Sequence, residues 1–236
     1  MKYDLIIFDM DGTILDTIDD LADSVNYALT CEGMPVHTVD EIRSFVGNGI
    51  RNLMERSVPR GTNEQKVSQV HEKFTVHYKQ HCADKTKPYD GISELLRRLR
   101  SAGVMTAVVS NKADYAVQML CEQYFPELFD FAAGEQMPRY PKKPSPEMVD
   151  MIIEKSGVDK SRVVYIGDSD VDIRTAENAG IDMIAVDWGF RSREFLIENG
   201  ADVIVSDAEV LWAFLSGSRA NTEGSVHLME KCLTDN

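Results

Sequence analysis

The stretch IIFDMDGTILDT, residues 6–17, decides the reading of this chain. An apolar run at positions 5–8 has the length of a buried strand, and it leads directly into Asp9 and Asp11, one residue apart. Gly12 and Thr13 follow as turn residues, and a helical pattern starts a few positions later. Two carboxylates at the end of a buried strand repel each other and cost stability. Such a pair therefore points to a bound cation or to acid–base work.

Working outward, Ile18, Leu21, Ala22, Val25 and Ala28 recur at helical spacing, and Gly33 with Pro35 closes that run. Val67, Val70, Phe74 and Tyr78 mark the face of a further helix, and no strand is expected before residue 85. DKTKPYDGI, residues 84–92, reads as a linker rich in turn formers. Beyond it, short apolar strands are expected at 104–110, 129–133, 162–167, 182–188 and 202–205, with helices between them. Ser145 and Pro146 make a cap and first-turn pair, and Gly180 ends the helix that follows Asp172. Strands alternating with helices define an α/β fold, a doubly wound parallel sheet of Rossmann-like type. The expected division is a core of residues 1–15 and 88–215, a helical insert at 16–87, and a polar tail at 216–236.

Bulk composition narrows the function. The 236 residues are 43% hydrophobic and 27% charged, enough for a sizeable core. Lys and Arg number 25 against 39 Asp and Glu, a net charge of −14, which argues against nucleic acid or an anionic membrane as partner. Cys31, Cys82, Cys121 and Cys232 are widely spaced and show no CxxC or Cys/His zinc pattern. Free thiols, no signal peptide and no apolar window of membrane-spanning length suit a cytoplasmic protein, a monomer or a homodimer.

In an open parallel sheet, ligands sit beyond the carboxyl ends of the strands. Asp9 and Asp11, Ser110 and Asn111, Lys142 and Lys143, and Asp168 and Asp172 all fall at or beyond such ends. Clustered carboxylates imply an oxygen-liganded cation, magnesium rather than zinc. Ser, Asn and Lys suit a phosphoryl anion, so the set reads as phosphoryl transfer. Other motifs carry less. DMDG is not an EF-hand loop, because its glycine falls at the fourth position. VGNG, residues 46–49, lacks the third glycine and preceding strand of a dinucleotide fingerprint, and no GxxxxGK[ST] is present. His77 and His81 stand four apart on a helix with no third ligand in view, as a surface pair does.

DMDGT, SN, KP and GDSDVD, in this order and spacing, resemble the haloacid dehalogenase superfamily in its phosphatase branch. The resemblance runs to about Leu215 and implies an inserted α-helical cap that closes over the site. It implies that Asp9 is the nucleophile of an aspartyl-phosphate mechanism, and that Asp11 is acid and then base. Mg²⁺ would be held by Asp9, Asp168 and the Asp11 backbone carbonyl, with Asp172 acting through water or behind the ligands, or simply capping its helix. Ser110 and the Asn111 backbone would take the phosphoryl oxygens, and Thr13 would fix the loop. Lys142 and Lys143 both qualify as the neutralising lysine, with Lys143 favoured because it directly precedes the proline.

ILDTIDDLADSVNYAL, FVGNGIRNLMER and DWGFRSREFLIENGAD further resemble phosphoglycolate phosphatases. Leu21 stands where sugar-phosphate mutases of this type carry histidine, and Asp11 sets the chain apart from the dehalogenases. The substrate implied is a small phosphorylated metabolite, 2-phosphoglycolate first. A pyrophosphatase, a 5′-nucleotidase and a broad sugar-phosphate phosphatase are the enzymatic rivals, and a receiver-type signalling domain is the rival from another class. Gly47, Asn48, Gly49 and Arg51 are the expected cap contacts. Arg51 is either the partner of a substrate carboxylate or a solvated helix charge.

Overall fold

The computed structural model describes residues 1–136, 138–217 and 226–228. The opening apolar run is β1 (Leu5–Phe8), with every residue buried, as befits a strand covered on both faces. The short β2 (Leu15–Asp16) leads into α1 (Ile18–Cys31), α2 (Val39–Phe45), α3 (Gly49–Ser57) and α4 (Glu64–His81). The chain returns through β3 (Lys87–Pro88), which pairs antiparallel with β2. Then come α5 (Ile92–Ser101), β4 (Met105–Ala113), α6 (Asp114–Tyr124), β5 (Phe131–Glu135) and α7 (Glu147–Ser156). The last part holds β6 (Val163–Gly167), α8 (Asp170–Ala179), β7 (Asp182–Val186), α9 (Arg193–Glu198), β8 (Val203–Val205), α10 (Ala208–Ser216) and β9 (Val226–Leu228).

The main sheet has the order β5-β4-β1-β6-β7-β8-β9, parallel throughout except for β9, which runs antiparallel to β8. β1 lies between β4 and β6, so the chain winds outward from it in both directions. That reversal leaves a crevice at the carboxyl end of β1, where ligands of doubly wound folds bind.

Alternation along the central strands feeds two cores. Ile6, Phe8, Val108 and Ile166 pack with α5 and α10 side chains on one face. Leu5, Ile7, Val109 and Tyr165 meet Met148, Val149 and Ile152 of α7 on the other. The helices α1–α4 share a separate cluster, centred on Val25, Leu29, Ile42, Met54, Phe74 and Tyr78. Because the inserted helices bury their apolar faces mainly against each other, they form a unit over the sheet edge. Among the described residues, no helix is long and apolar enough to cross a membrane.

Several local expectations shift. β4 continues to Ala113, past the expected end at 110, with an irregular register against β5 after Val109. The polar Ser110, Asn111 and Lys112 are thus held on a strand extension rather than in a free loop. Residues 87–88 are not simple linker, because their pairing with β2 makes a two-stranded ribbon where the chain enters and leaves the helices. α7 begins at Glu147 with Pro146 at the cap position and no side-chain cap, since the Ser145 hydroxyl turns to the Glu147 carboxylate. Gly180 does end α8, in the left-handed conformation. Ser216 belongs to α10 and Val226–Leu228 to the sheet. The rest of the expected polar tail, with Cys232, lies outside the described residues.

Candidate active site

The ladder of β1 runs one bond further, from Asp9 N–H to the Ile166 carbonyl at 2.9 Å, which fixes Asp9 at the sheet edge. The chain then turns tightly, with the Met10 carbonyl accepting from the N–H groups of Thr13, Ile14 and Leu15. Gly12 sits at φ +85°, and a Cβ there would lie 2.3 Å from Asp168 Oδ2. Only glycine lets this turn approach the second carboxylate so closely. Thr13, wholly buried, donates to Asp168 Oδ1 at 3.3 Å, and Trp188 Nε1–H donates to the Thr13 carbonyl at 3.0 Å.

From β4, the Asn111 side chain bonds the Lys143 backbone at both ends. Its Oδ1 accepts from Lys143 N–H at 2.7 Å and its Nδ2 donates to the Lys143 carbonyl at 3.1 Å. This clasp sets Lys143 beside Ser110, both 2% exposed. Lys143 Nζ lies 2.7 Å from Asp172 Oδ1, 2.9 Å from Asp9 Oδ1 and 2.9 Å from the Tyr165 hydroxyl. Burial pulls the ammonium pKa down, but Asp172 and Asp9 outweigh it and hold Lys143 protonated well above the usual lysine value. Lys142, the other candidate, reaches instead to the Asn48 carbonyl at 2.8 Å.

At the end of β6, Asp168 is 1% exposed and Asp172 fully buried. Asp168 Oδ2 accepts from Phe190 N–H at 2.6 Å. Asp172 forms a capping box with Ser169 through Oδ2, while its Oδ1 meets Lys143. Both Asp172 oxygens are thus engaged by protein donors. Asp9, Asp168 and Asp172 offer carboxylate oxygens within 4.8 Å of one another. Burial is the main force that pushes Asp9 up to about 7, opposed by Lys143 and aided by Asp172 and Asp11. Burial, with Asp172 and Asp9, likewise raises Asp168 well above the carboxylate range.

These carboxylates fit a hard divalent cation. Asp9 Oδ1 is buried without a well-directed hydrogen bond, although the Lys143 ammonium lies close by. Like charges converge without enough protein cations to offset them, and every donor is oxygen. His77 and His81 take no part: their rings stack at 4.3 Å, with Nδ1 of His77 on Ser24 and Nδ1 of His81 on Asp84.

Asp11 lines the same pocket as Asp9 and Asp168 and is held by other donors. Its Oδ1 accepts from Thr17 Oγ1 and from Lys112 Nζ, each at 2.7 Å. The pocket above the carboxylates has a volume of about 50 Å³ and is roofed by Leu21, Val46, Ile50, Leu53 and Tyr78. Gly47 and Gly49 also line it. Asn48 does not, and its part is the backbone carbonyl that Lys142 grips. Arg51 is not brought to the pocket. Its guanidinium is held on the outer side of the insert by Glu55, Glu64 and Ser68. Carboxylates one turn and one helix away outcompete the pocket for it.

Lining residues that the sequence did not single out include Lys112, Tyr78 and Arg191. Lys112 follows Ser110 and Asn111 directly, and a third polar residue at a strand end was the available signal. Tyr78 reads as core from its helical spacing, and it is fully buried core that also lines the pocket. Arg191 bonds the carbonyls of Arg43 and Val46 in the insert, which nothing in the local sequence announces.

Ser110, Asn111, Lys143 and clustered carboxylates meet at the switch point of a doubly wound α/β fold, an arrangement suited to phosphoryl transfer. The family model for haloacid dehalogenase-like hydrolases matches residues 6–186, and the chain belongs to that family. It is 33% identical over 198 residues to a phosphoglycolate phosphatase of Mesorhizobium japonicum, covering 82% of this chain and 86% of that one. It is 31% identical over 208 residues to an N-acetylmuramic acid 6-phosphate phosphatase of Pseudomonas aeruginosa, covering 87% and 91%. A crystal structure from Lactobacillus delbrueckii subsp. bulgaricus, provisionally assigned as a phosphoglycolate phosphatase, superposes with a TM-score of 0.87 at 42% identity, covering 91% and 99%. Within its family the chain is an enzyme of the phosphatase kind.

Proposed function

We propose that the protein is a Mg²⁺-dependent phosphatase that cleaves a small phosphate monoester through an aspartyl-phosphate on Asp9, with 2-phosphoglycolate as the leading substrate. The observation that carries this reading is the meeting of Asp9, Asp11, Ser110, Lys143 and Asp168 around one pocket. Asp9 attacks phosphorus, and Asp11 gives its proton to the departing alkoxide. Asp11 then takes a proton from the water that hydrolyses the acyl phosphate. Ser110 and the Asn111 N–H hold phosphoryl oxygens, and Lys143 neutralises their charge. Asp9, Asp168 and the Asp11 carbonyl would hold Mg²⁺, which supplies further charge neutralisation when bound. Asp172 acts one step back, by fixing Lys143 and the start of α8. Cys31, Cys82 and Cys121 are free thiols, which supports the cytoplasm as the compartment.

The small pocket favours a compact leaving group over a sugar or nucleoside. The relative named for N-acetylmuramic acid 6-phosphate keeps a sugar phosphate as the second reading. A panel of metabolite phosphates assayed with Mg²⁺ tests both, and phosphoglycolate should lead it. A kcat/KM about tenfold higher for a sugar phosphate, pyrophosphate or a nucleoside monophosphate overturns the substrate assignment.

A further inference from the structure

With Arg51 committed to the outer face, the pocket needs another account of how it reads its leaving group. The side chains that the insert contributes to the roof are apolar apart from the Tyr78 hydroxyl. Tyr78 is 0% exposed, lines the pocket, and its hydroxyl makes no well-directed hydrogen bond among the described residues, although the Lys112 ammonium stands close to it. A buried hydroxyl left unpaired is costly, so such an atom marks a place for an acceptor that arrives with the ligand. Beside it stands Lys112, 4% exposed, with Nζ 4.8 Å from the centre of the Tyr78 ring and 2.7 Å from Asp11 Oδ1. Lys112 differs from Lys143, whose ammonium already meets two carboxylates and a tyrosine hydroxyl. Lys112 has one carboxylate partner and lies against the Tyr78 ring and its hydroxyl, so of its three N–H donors only the one on Asp11 meets a carboxylate.

We propose that Lys112 Nζ and the Tyr78 hydroxyl together form a subsite for a carboxylate carried on the carbon next to the phosphoester oxygen. This rests on the phosphatase reading, in which Asp11 faces that oxygen. An ammonium bonded to Asp11 then lies beside the neighbouring carbon, where a 2-phosphocarboxylate carries its charge. An ammonium has three N–H donors, and those that Asp11 does not use can take that carboxylate. The hydroxyl supplies the second donor, and two donors on one carboxylate give orientation as well as charge. Lys112 belongs to β4 and Tyr78 to α4, so the subsite is complete only when insert and core are together. A leaving group without the carboxylate would leave both donors unpaired and is discriminated against on that account.

The test is calorimetric binding to the Asp9→Asn protein with Mg²⁺ present, comparing 2-phosphoglycolate with its uncharged amide. The acid should bind at least about tenfold more tightly than the amide. Adding Lys112→Met should erase that preference, and Lys112→Arg should keep most of it. Adding Tyr78→Phe, which retains the stack on Phe74, should reduce the preference a few-fold. No preference in Asp9→Asn alone, or an unchanged preference in both the Lys112→Met and Tyr78→Phe backgrounds, overturns the subsite. If Lys112→Met does not fold, Asp9→Asn and its Tyr78→Phe derivative still decide. Wild-type turnover separates the two readings. Preferential binding without hydrolysis of any ester defeats the phosphatase and spares the subsite, whereas hydrolysis without preference does the reverse.

Discussion

The sheet edge and the helical insert face the same pocket with different materials. On the sheet edge, side chains carry the function: Asp9, Ser110, Lys143 and Asp168 are each at most 8% exposed and held by hydrogen bonds from neighbouring strands. The insert offers an apolar roof, and much of its grip on the core is backbone. Asn111, Lys142 and Arg191 donate to the carbonyls of Gly47, Asn48, and Arg43 with Val46. Chemistry that needs charges within hydrogen-bond reach depends on rigid strand ends. A roof that only encloses can be gripped by main-chain carbonyls, whatever side chains the segment carries. The difference separates what makes the reaction from what encloses it.

The sharpest break in that comparison is Asp9→Asn. Turnover should fall on the order of 10⁴-fold or more, because no other group can take the phosphoryl. Intact mass analysis of quenched wild-type enzyme should show one added HPO₃ on Asp9, and none in the variant. Phosphate on Ser110 or on a residue of the insert would transfer the chemistry away from the β1 end.

Metal removal comes next. Chelation should abolish activity and Mg²⁺ should restore it, and the cation should also stabilise the fold in a pH-dependent way. Burial holds Asp9 near 7, above its ordinary 3.8, and Asp168 is raised as well. Between about pH 4 and 7 the unfolded chain loses protons that the fold keeps. Without cation, the contribution of Asp9 to stability therefore falls as pH rises through that window, and that of Asp168 falls with it in the same direction. A cation binds the deprotonated form, so the rise in Tm on adding Mg²⁺ should be larger at about pH 8 than at about pH 5.5 by scanning calorimetry. An equal rise at both would place the ion elsewhere.

Arg191→Met probes the enclosure. Loss of its bonds to Arg43 and Val46 should lower kcat/KM about tenfold for charged and uncharged esters alike, with little change in phosphoenzyme chemistry. A loss confined to carboxylate-bearing esters would make Arg191 a reader of substrate instead. Arg51→Ala should do least, with KM for phosphoglycolate moving less than about twofold, since its partners are partly exposed carboxylates of the insert. A selective rise in that KM would show that the guanidinium leaves Glu55 and Glu64 for the substrate.

By itself, the sequence determined the parallel α/β core and the end of each strand where polar residues gather. Apolar runs of strand length separated by helical periods leave few other ways to bury their surface. It also singled out Asp9, Asp11, Ser110, Asn111 and Asp168, because carboxylates and hydroxyls directly after buried strands stand out locally. Only the tertiary structure decided between Lys142 and Lys143, since these neighbours in the connection from β5 to α7 reach different partners and just one meets Asp9 and Asp172. It alone turned Arg51 outward, extended β4 to carry Lys112 under the roof, and brought Tyr78 into the pocket lining. Where a long side chain ends depends on every partner within its reach. Those partners come from segments far apart in the chain, so no local pattern encodes the outcome.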